Sequence, residues 1–349
     1  MVGFVKRLAV IIVNYRTPKL AIECINALDD ARKAFPGLRA IVVDGGSEDG
    51  SAGEIGQSIE NRGQGDWVRL LALPVNGGFA FANNRALMAL ARDGDLPDAI
   101  ALINPDARVR PGALEAMAAL LDREPRAGAV GGLLEHEDGR PQSSAFHFPS
   151  LRGEFCRGAR TGFVERLLHQ PPTRIEASEA CEVPWVTGAG VMFRTTALQA
   201  AGLFDEGFFL YFEETDLMRR LRREDWEIWH EPAARIVHEG GAATQIRDPE
   251  TGLPRARRMP RYWYESRRRY FARAGGRGYA LAAGMAWLAG DLFWTIRRAV
   301  TRAPEDGPLR ATGDMVEFGL WPEPRDAVGA APDFGSASSA EPAWMKLAR

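Results

Sequence analysis

Three carboxylates lie close together in Phe204-Asp-Glu-Gly-Phe-Phe-Leu-Tyr-Phe-Glu-Glu-Thr-Asp-Leu-Met-Arg219, where an aromatic-rich loop runs into the start of a helix. Glu213 and Glu214 are adjacent, so they diverge by about 100° around that helix and only one faces a given pocket. Asp216 shares a face with Glu213. A carboxylate delivered in this way suits general-base work. An acidic first turn matched to the helix dipole also accounts for the charges, but not for the aromatic run before them. A second oxygen-rich group, Asn104-Pro105-Asp106, follows the apolar run Ala99–Ile103. Pro105 cannot donate to a sheet ladder, so the strand ends there. Asn104 and Asp106 then stand just past its carboxyl end, where open α/β sheets bind ligands. Such a pair suits a hard divalent cation that neutralises a diphosphate; the same tripeptide is also a common turn.

Three more stretches carry polar groups at strand ends or helix starts. Asp44 closes Arg39–Asp44 before a Gly-rich turn, where an acid can accept from a ribose or a base N–H, or simply cap the turn. Asn76-Gly77-Gly78-Phe79-Ala80-Phe81-Ala82-Asn83-Asn84 puts glycines before a helix, whose free N–H groups would suit a phosphate; a plain turn and cap is the simpler reading. His238 ends Arg-Ile-Val-His and precedes Glu239-Gly240-Gly241, a place fit for a metal ligand as well as for an ordinary core histidine.

The elements that must position these residues alternate. Leu8–Val13, Arg39–Asp44, Val68–Leu73 and Ala99–Ile103 read as strands. Helical stretches follow Pro18, run from Phe79 to Ala91, and run from Pro111 to Leu121. The pattern predicts an α/β, Rossmann-like fold: a doubly wound, mainly parallel sheet. No Gly-x-Gly-x-x-Gly follows the first strand and no Gly-Lys-Ser/Thr occurs, which argues against a dinucleotide dehydrogenase and a P-loop enzyme. Residues 135–182, rich in Pro, Arg and Gly, read as a long excursion. Order resumes at Val183–Phe193, with short strands at Trp226–His230 and Arg235–His238, and Tyr262 to Arg298 is mostly helical. The expected division is a catalytic domain over 1–250, a basic and apolar helical extension over 251–302, and a poorly ordered tail over 303–349.

Composition is that of an ordinary enzyme: 349 residues, 46% hydrophobic, 26% charged, with a net charge of −2. The charge is uneven. Twelve arginines against Glu265 and Asp291 give 255–302 a balance of +10, leaving about −12 for the rest. A basic block on an acidic body points to an anionic lipid surface before nucleic acid. Cys24, Cys156 and Cys181 are widely spaced and odd in number, which suggests a reducing compartment. The apolar run before Asn14 is too short for a signal peptide and has no small-residue cleavage site.

Taken in order, Ile12-Val13-Asn14-Tyr15, Val42-Val43-Asp44, Asn76-Gly77-Gly78-Phe79-Ala80 with Asn83-Asn84, Asn104-Pro105-Asp106, Trp185-Val-Thr-Gly-Ala189, Phe212-Glu-Glu-Thr-Asp-Leu217 and His238 resemble the family 2 glycosyltransferases. These are inverting enzymes of the GT-A fold, and the motifs are nearest to a rhamnosyltransferase-like branch of cell-surface polysaccharide synthesis. The resemblance extends from Ala9 to about Thr244. It implies transfer of a sugar from a nucleoside-diphosphate sugar to a hydroxyl of a glycan or lipid-linked acceptor. Asn14, Asp44, Gly78, Asn84, Asn104 and Asp106 would serve the donor, with Asp44 at the base. Asp106 and His238 would hold a divalent cation, Mg2+ or Mn2+. Glu214 would be the base, with Glu213 and Asp216 beside it, and Trp185, Thr187, Gly188 and Tyr211 would face the acceptor. Two positions depart from the family pattern: Asn104 replaces the first acid of the metal motif, and Glu214 replaces the usual Asp. They keep open a catalytically silent nucleotide-sugar-binding scaffold. A sugar-1-phosphate nucleotidyltransferase would need a Gly-rich basic loop where Asn14-Tyr15-Arg16-Thr17 stands.

The apolar stretch Tyr279–Ile296 is about 27 Å long as a helix, near the span of a bilayer core. Asp291, its glycines and its many alanines weaken it as a span. Arg267-Arg268-Arg269, Arg273 and Arg277 precede it, and Arg297, Arg298 and Arg302 follow. Arginines on both flanks suit a helix lying in the interface of an anionic leaflet; a packing helix with solvated arginines is the alternative. The expectation is a cytoplasmic protein, peripheral at the inner face of the plasma membrane.

Overall fold

The structure, a computed structural model, describes residues 5–94, 96–240, 258–302 and 308–323. Its strands are β1 (Leu8–Asn14), β2 (Arg39–Asp44), β3 (Val68–Ala72), β4 (Ala99–Ile103), β5 (Ala107–Val109), β6 (Ala127–Glu135), β7 (Ala145–Phe146), β8 (Arg174–Ile175), β9 (Cys181–Glu182), β10 (Trp185–Val186), β11 (Gly190–Arg194) and β12 (Glu227–His238). The helices are α1 (Pro18–Asn26), α2 (Ala31–Ala34), α3 (Ser51–Asn61), α4 (Gly78–Arg92), α5 (Ala113–Arg123), α6 (Leu151–Ala159), α7 (Gly162–Leu167), α8 (Thr195–Ala201), α9 (Glu213–Arg223), α10 (Arg261–Thr301) and α11 (Ala311–Asp314).

The large sheet runs β3-β2-β1-β4-β11-β6-β12-β5, with β9 added to β12. Its first four strands pair in parallel, and the second half is mixed because β11 lies antiparallel to both β4 and β6. Alternate residues of β1 feed two cores. Leu8, Val10 and Ile12 pack on one face with residues of α1, α3 and α5, and Ala9 and Ile11 pack on the other with α4, α8 and α9. Strand order reverses beside β1, which lies between β2 and β4. The carboxyl ends of β1 and β4 therefore open a crevice at the switch point, where such sheets bind ligands.

Several expectations are corrected. Trp226–His230 and Arg235–His238 are one strand, β12, whose register against β6 shifts between Glu231 and Arg235. The excursion is folded: β7 and β8 join β10 in a small sheet, with α6 and α7 between β7 and β8. The helical extension is not a loose appendage. Arg267 on α10, 0% exposed, donates from Nε to Glu154 Oε2 on α6 at 2.6 Å. Gly275 and Gly276 break α10 into two halves, as Gly276 takes φ +84°. Within the stretch expected to be poorly ordered, residues 308–323 carry α11 and a π-turn (Met315–Gly319) that dock on α10, and Asp314 accepts from Arg258 Nε and NH2 at 2.6–2.7 Å. The boundary at 250, Thr244, Arg255, Arg257 and the tail from 324 lie outside the described residues.

Candidate active site

Asn14 and Asp44 end neighbouring parallel strands in register. The Asn14 amide donates to Asp44 Oδ2 at 2.8 Å, and the Ser47 N–H donates to Asp44 Oδ1 at 2.8 Å. Asp44 is 1% exposed, so it first builds the turn, and a base would have to use its remaining lone pairs.

Across the crevice, β5 pairs antiparallel with β12 and sets His238 opposite Ala107, next to Asp106. His238 Nε2 lies 3.4 Å from Asp106 Oδ1, a buried oxygen with no hydrogen-bond partner among the described residues. The other imidazole nitrogen, Nδ1, faces Gln142 Oε1 at 3.4 Å. A donated proton there would leave the Nε2 lone pair for a ligand. Among the described residues no three His, Cys, Asp or Glu cluster as a metal cage. An orphaned carboxylate oxygen beside an imidazole fits a cation that takes its other ligands from a diphosphate and water. Asn104 is placed beside this pair by its backbone N–H, which donates to Ala189 O at 3.1 Å.

Gly78 and Asn84 do different work from that expected. Gly78 takes φ +88°, and a Cβ there would run into the carbonyl of Phe209. Its N–H goes to Asn76 Oδ1 at 3.0 Å and the Phe79 N–H to Phe209 O at 2.8 Å, so these two donors are not free for a phosphate. Asn84 donates to Phe204 O and Glu206 Oε1, both at 2.9 Å, and accepts from the Phe204 N–H at 3.0 Å. Both residues dock the aromatic loop onto α4.

That loop ends in two strained residues, Tyr211 (φ +71°) and Phe212 (φ +69°), before α9 begins with Glu213 and Glu214. Burial, and then the Glu214 charge, push the Glu213 carboxyl well above the usual range. Burial also raises Glu214, against the opposing pull of N–H groups of Glu214, Gly188 and Thr215. Glu213 is 3% exposed, and Oε2 of each glutamate is buried without a hydrogen-bond partner among the described residues. The Asp216 oxygens accept from Arg273 Nε and Arg220 Nε, each at 3.0 Å.

Glu214 and Thr215 line a cavity of about 400 Å³ together with Phe146, Phe148, Trp185, Tyr211, Phe212 and Trp263. Trp185 stacks on Phe146 at 4.5 Å and donates from Nε1 to His147 O at 3.0 Å. Trp185 and Tyr211 are both among the residues that line this cavity. Thr187 and Gly188 are not among its lining. The Thr187 N–H donates to Ser144 O at 3.0 Å, and Gly188 packs against the Glu214 side chain. Sequence reasoning missed Phe146, Phe148 and Trp263. The aromatic alternation in Ala145-Phe-His-Phe-Pro149 was the available signal for the first two.

Residues 9–201 match the family described as Glycosyl transferase family 2, more than half of the chain. The N-acetylglucosaminyl-diphospho-decaprenol L-rhamnosyltransferase of Mycobacterium tuberculosis, in strains CDC 1551 and H37Rv, is 33% identical over 224 residues, covering 62% of this chain and 71% of that protein. Among solved structures, the mannosyltransferase PcManGT from Pyrobaculum calidifontis in complex with GDP-Man and Mn2+ is similar at TM-score 0.53 and 18% identity, over 89% of this chain and 80% of that one. GalNAc-T7 with UDP, GalNAc and Mn2+ gives 0.52 and 11%, over 90% of this chain and 54% of that one. These two likenesses establish the shared GT-A fold. The chain is a glycosyltransferase, and it belongs to glycosyl transferase family 2.

Proposed function

We propose that this enzyme moves rhamnose or a similar sugar, with inversion, from a nucleoside-diphosphate sugar to a hydroxyl of a lipid-linked acceptor sugar. The acceptor class follows that of the mycobacterial relative, an N-acetylglucosaminyl diphospho-lipid. The observation that carries the reading is Glu214 at the wall of an aromatic cavity large enough for a sugar ring, with one carboxyl oxygen, Oε2, that has no partner among the described residues. Trp185 and Tyr211 offer apolar faces to that ring, and Glu214 takes the proton of the attacking hydroxyl. Burial, and then the Glu214 charge, raise the Glu213 carboxyl well above the usual range, and burial raises Glu214 as well, so the two titrate as a pair. The donor lies over Asn14, Asp44 and Asn104. Asp106 and His238 would hold a divalent cation, Mg2+ or Mn2+, whose charge offsets that of the leaving diphosphate. An oxocarbenium-like transition state asks little of the base until late, so a carboxylate suffices.

We also propose that the enzyme works at an anionic membrane surface. Met285, Leu292, Ile296 and Val300 recur on one face of the second half of α10 and are 54–78% exposed, with Arg297 and Arg302 exposed beside them. Among the described residues no helix is long and apolar enough to cross a membrane. A surface-lying helix is the remaining way for this segment to meet lipid.

The test is transfer from a panel of dTDP-, UDP- and GDP-sugars to an N-acetylglucosaminyl diphospho-lipid. Glu214→Gln is expected to lower the rate about 10²–10⁴-fold with donor affinity kept, and chelation by EDTA to stop transfer. A dead Glu213→Gln beside an active Glu214→Gln would reassign the base, and full activity in EDTA would remove the cation.

A further inference from the structure

We infer that Arg273, together with Arg269, is a positioning residue that holds the loop 204–212 and the start of α9 so that Glu214 meets the cavity. This rests on the reading of Glu214 as base. Both arginines lie on α10, outside the segment 9–201 that matches the family.

The loop needs holding. Two consecutive bulky residues, Tyr211 and Phe212, sit in the left-handed region immediately before Glu213. Side chains avoid that region, and it persists only where surroundings over-determine it. Phe212 offers no side-chain cap to α9. The constraint comes mainly from one face of the first half of α10. Arg269 grips Asp205 with both prongs of its fork, Nε to Oδ2 at 3.0 Å and NH2 to Oδ1 at 2.8 Å. Its guanidinium covers the Phe208 ring at 5.6 Å and fills the space that a side chain on Gly207 would need. Arg273 Nε stands 3.0 Å from Asp205 Oδ2 and 3.0 Å from Asp216 Oδ1. It therefore ties the beginning of the loop to the helix that carries Glu214. Between these, Ser266 Oγ donates to Leu210 O at 3.0 Å, and Tyr262, Trp263 and Tyr270 pack on the rings of Tyr211 and Phe212.

Asp205 and Asp216 are each 5% exposed at the side chain, so these are desolvated charge pairs with fixed geometry rather than surface ones. Asp216 keeps Arg220 and Asp205 keeps Arg269 when Arg273 is removed. Each carboxylate thus has a second arginine, and Arg273 is the side chain that spans the two. A lysine carries the charge without the planar fork and restores the bridge in part.

The experiment compares the full chain with R273M, R273K and E214Q, using dTDP-rhamnose as the donor probe and an N-acetylglucosaminyl diphospho-lipid as acceptor. R273M is expected to lower kcat roughly ten- to a hundredfold, since a displacement of about 1 Å is enough for that. The donor KM should change less than about threefold, with R273K in between. The R273M/E214Q double variant should be no slower than E214Q alone, because a misplaced base cannot cost more than an absent one. Wild-type kcat in R273M, or losses that multiply in the double variant, would overturn the inference. If R273M fails to fold, R273K and Asp205→Asn carry the same comparison. An E214Q enzyme at full rate would instead overturn the base assignment, whatever Arg273 does.

Discussion

Charge is buried in two regions of this molecule, and in opposite ways. Along the first half of α10, Arg267, Arg269 and Arg273 are matched one to one or better with Glu154, Asp205 and Asp216, and the forks are filled. In the crevice and the cavity, Asp106, Glu213 and Glu214 each keep a buried oxygen with no partner among the described residues. Burying an ion is costly unless partners compensate, so the first region spends its pairs on geometry. The second leaves its valences open, which is how a site that awaits a cation, a proton or a hydroxyl differs from one that is finished.

The largest effect is expected where the pairing is most complete. Arg267→Ala takes one of two arginine partners from a wholly buried Glu154, leaving Arg157, and should cost about 3 kcal/mol in unfolding by denaturant. A loss under about 1 kcal/mol would place that pair with surface ion pairs and erase the contrast. Glu213→Gln should act the other way. The folded state holds the Glu213 proton more tightly than the unfolded chain does. Between the ordinary glutamate value and the raised one, stability therefore falls as pH rises. The variant, which has no charge to desolvate, should be more stable than wild type at pH 8, and the gain should vanish as pH falls towards 4.5. Parallel pH profiles for the two proteins would mean that Glu213 is not a stranded charge.

The smallest stability effect is expected on the far half of α10. Leu292→Ser with Ile296→Ser should shift unfolding by less than about 0.5 kcal/mol at each position, yet release the protein from anionic vesicles in a low-salt sedimentation assay. Retention on the vesicles, or no binding by wild type, would show that this face meets something other than lipid.

Much of the first half of the chain was legible because each of its strands and helices is short, periodic and bounded by a Pro, Gly or Asp. Arg39–Asp44 and Ala99–Ile103 occur as read. The motif order identified the family through residues that lie at strand ends. The arginines of α10 were misread for a physical reason. As a run, Arg267-Arg268-Arg269 looks like a solvated basic face. Its acidic partners stand 113 residues away at Glu154 and 64 away at Asp205, and nothing local announces them. Arg268 caps the carbonyl of Phe318, in the stretch expected to be disordered. Gly78 and Asn84 misled in a similar way. A glycine or an amide at a helix start suits a phosphate and a neighbouring loop equally well, and only the position of Phe209 and Phe204 decides between them.

Where α6 crosses the second half of α10, Gly158 meets the backbone of Trp287 and Asp291, and Gly290 meets that of Phe155 and Ala159; a Cβ on either glycine would strike main-chain atoms. Because α6 supplies Gly153, Glu154 and Arg157 to the cavity wall, the spacing between that wall and the outer helix is fixed by bare backbone. Variation that retunes the cavity for a different acceptor is therefore channelled into its side chains, such as Phe146, Phe148 and Gln170. The two helices keep their separation as an invariant of the architecture.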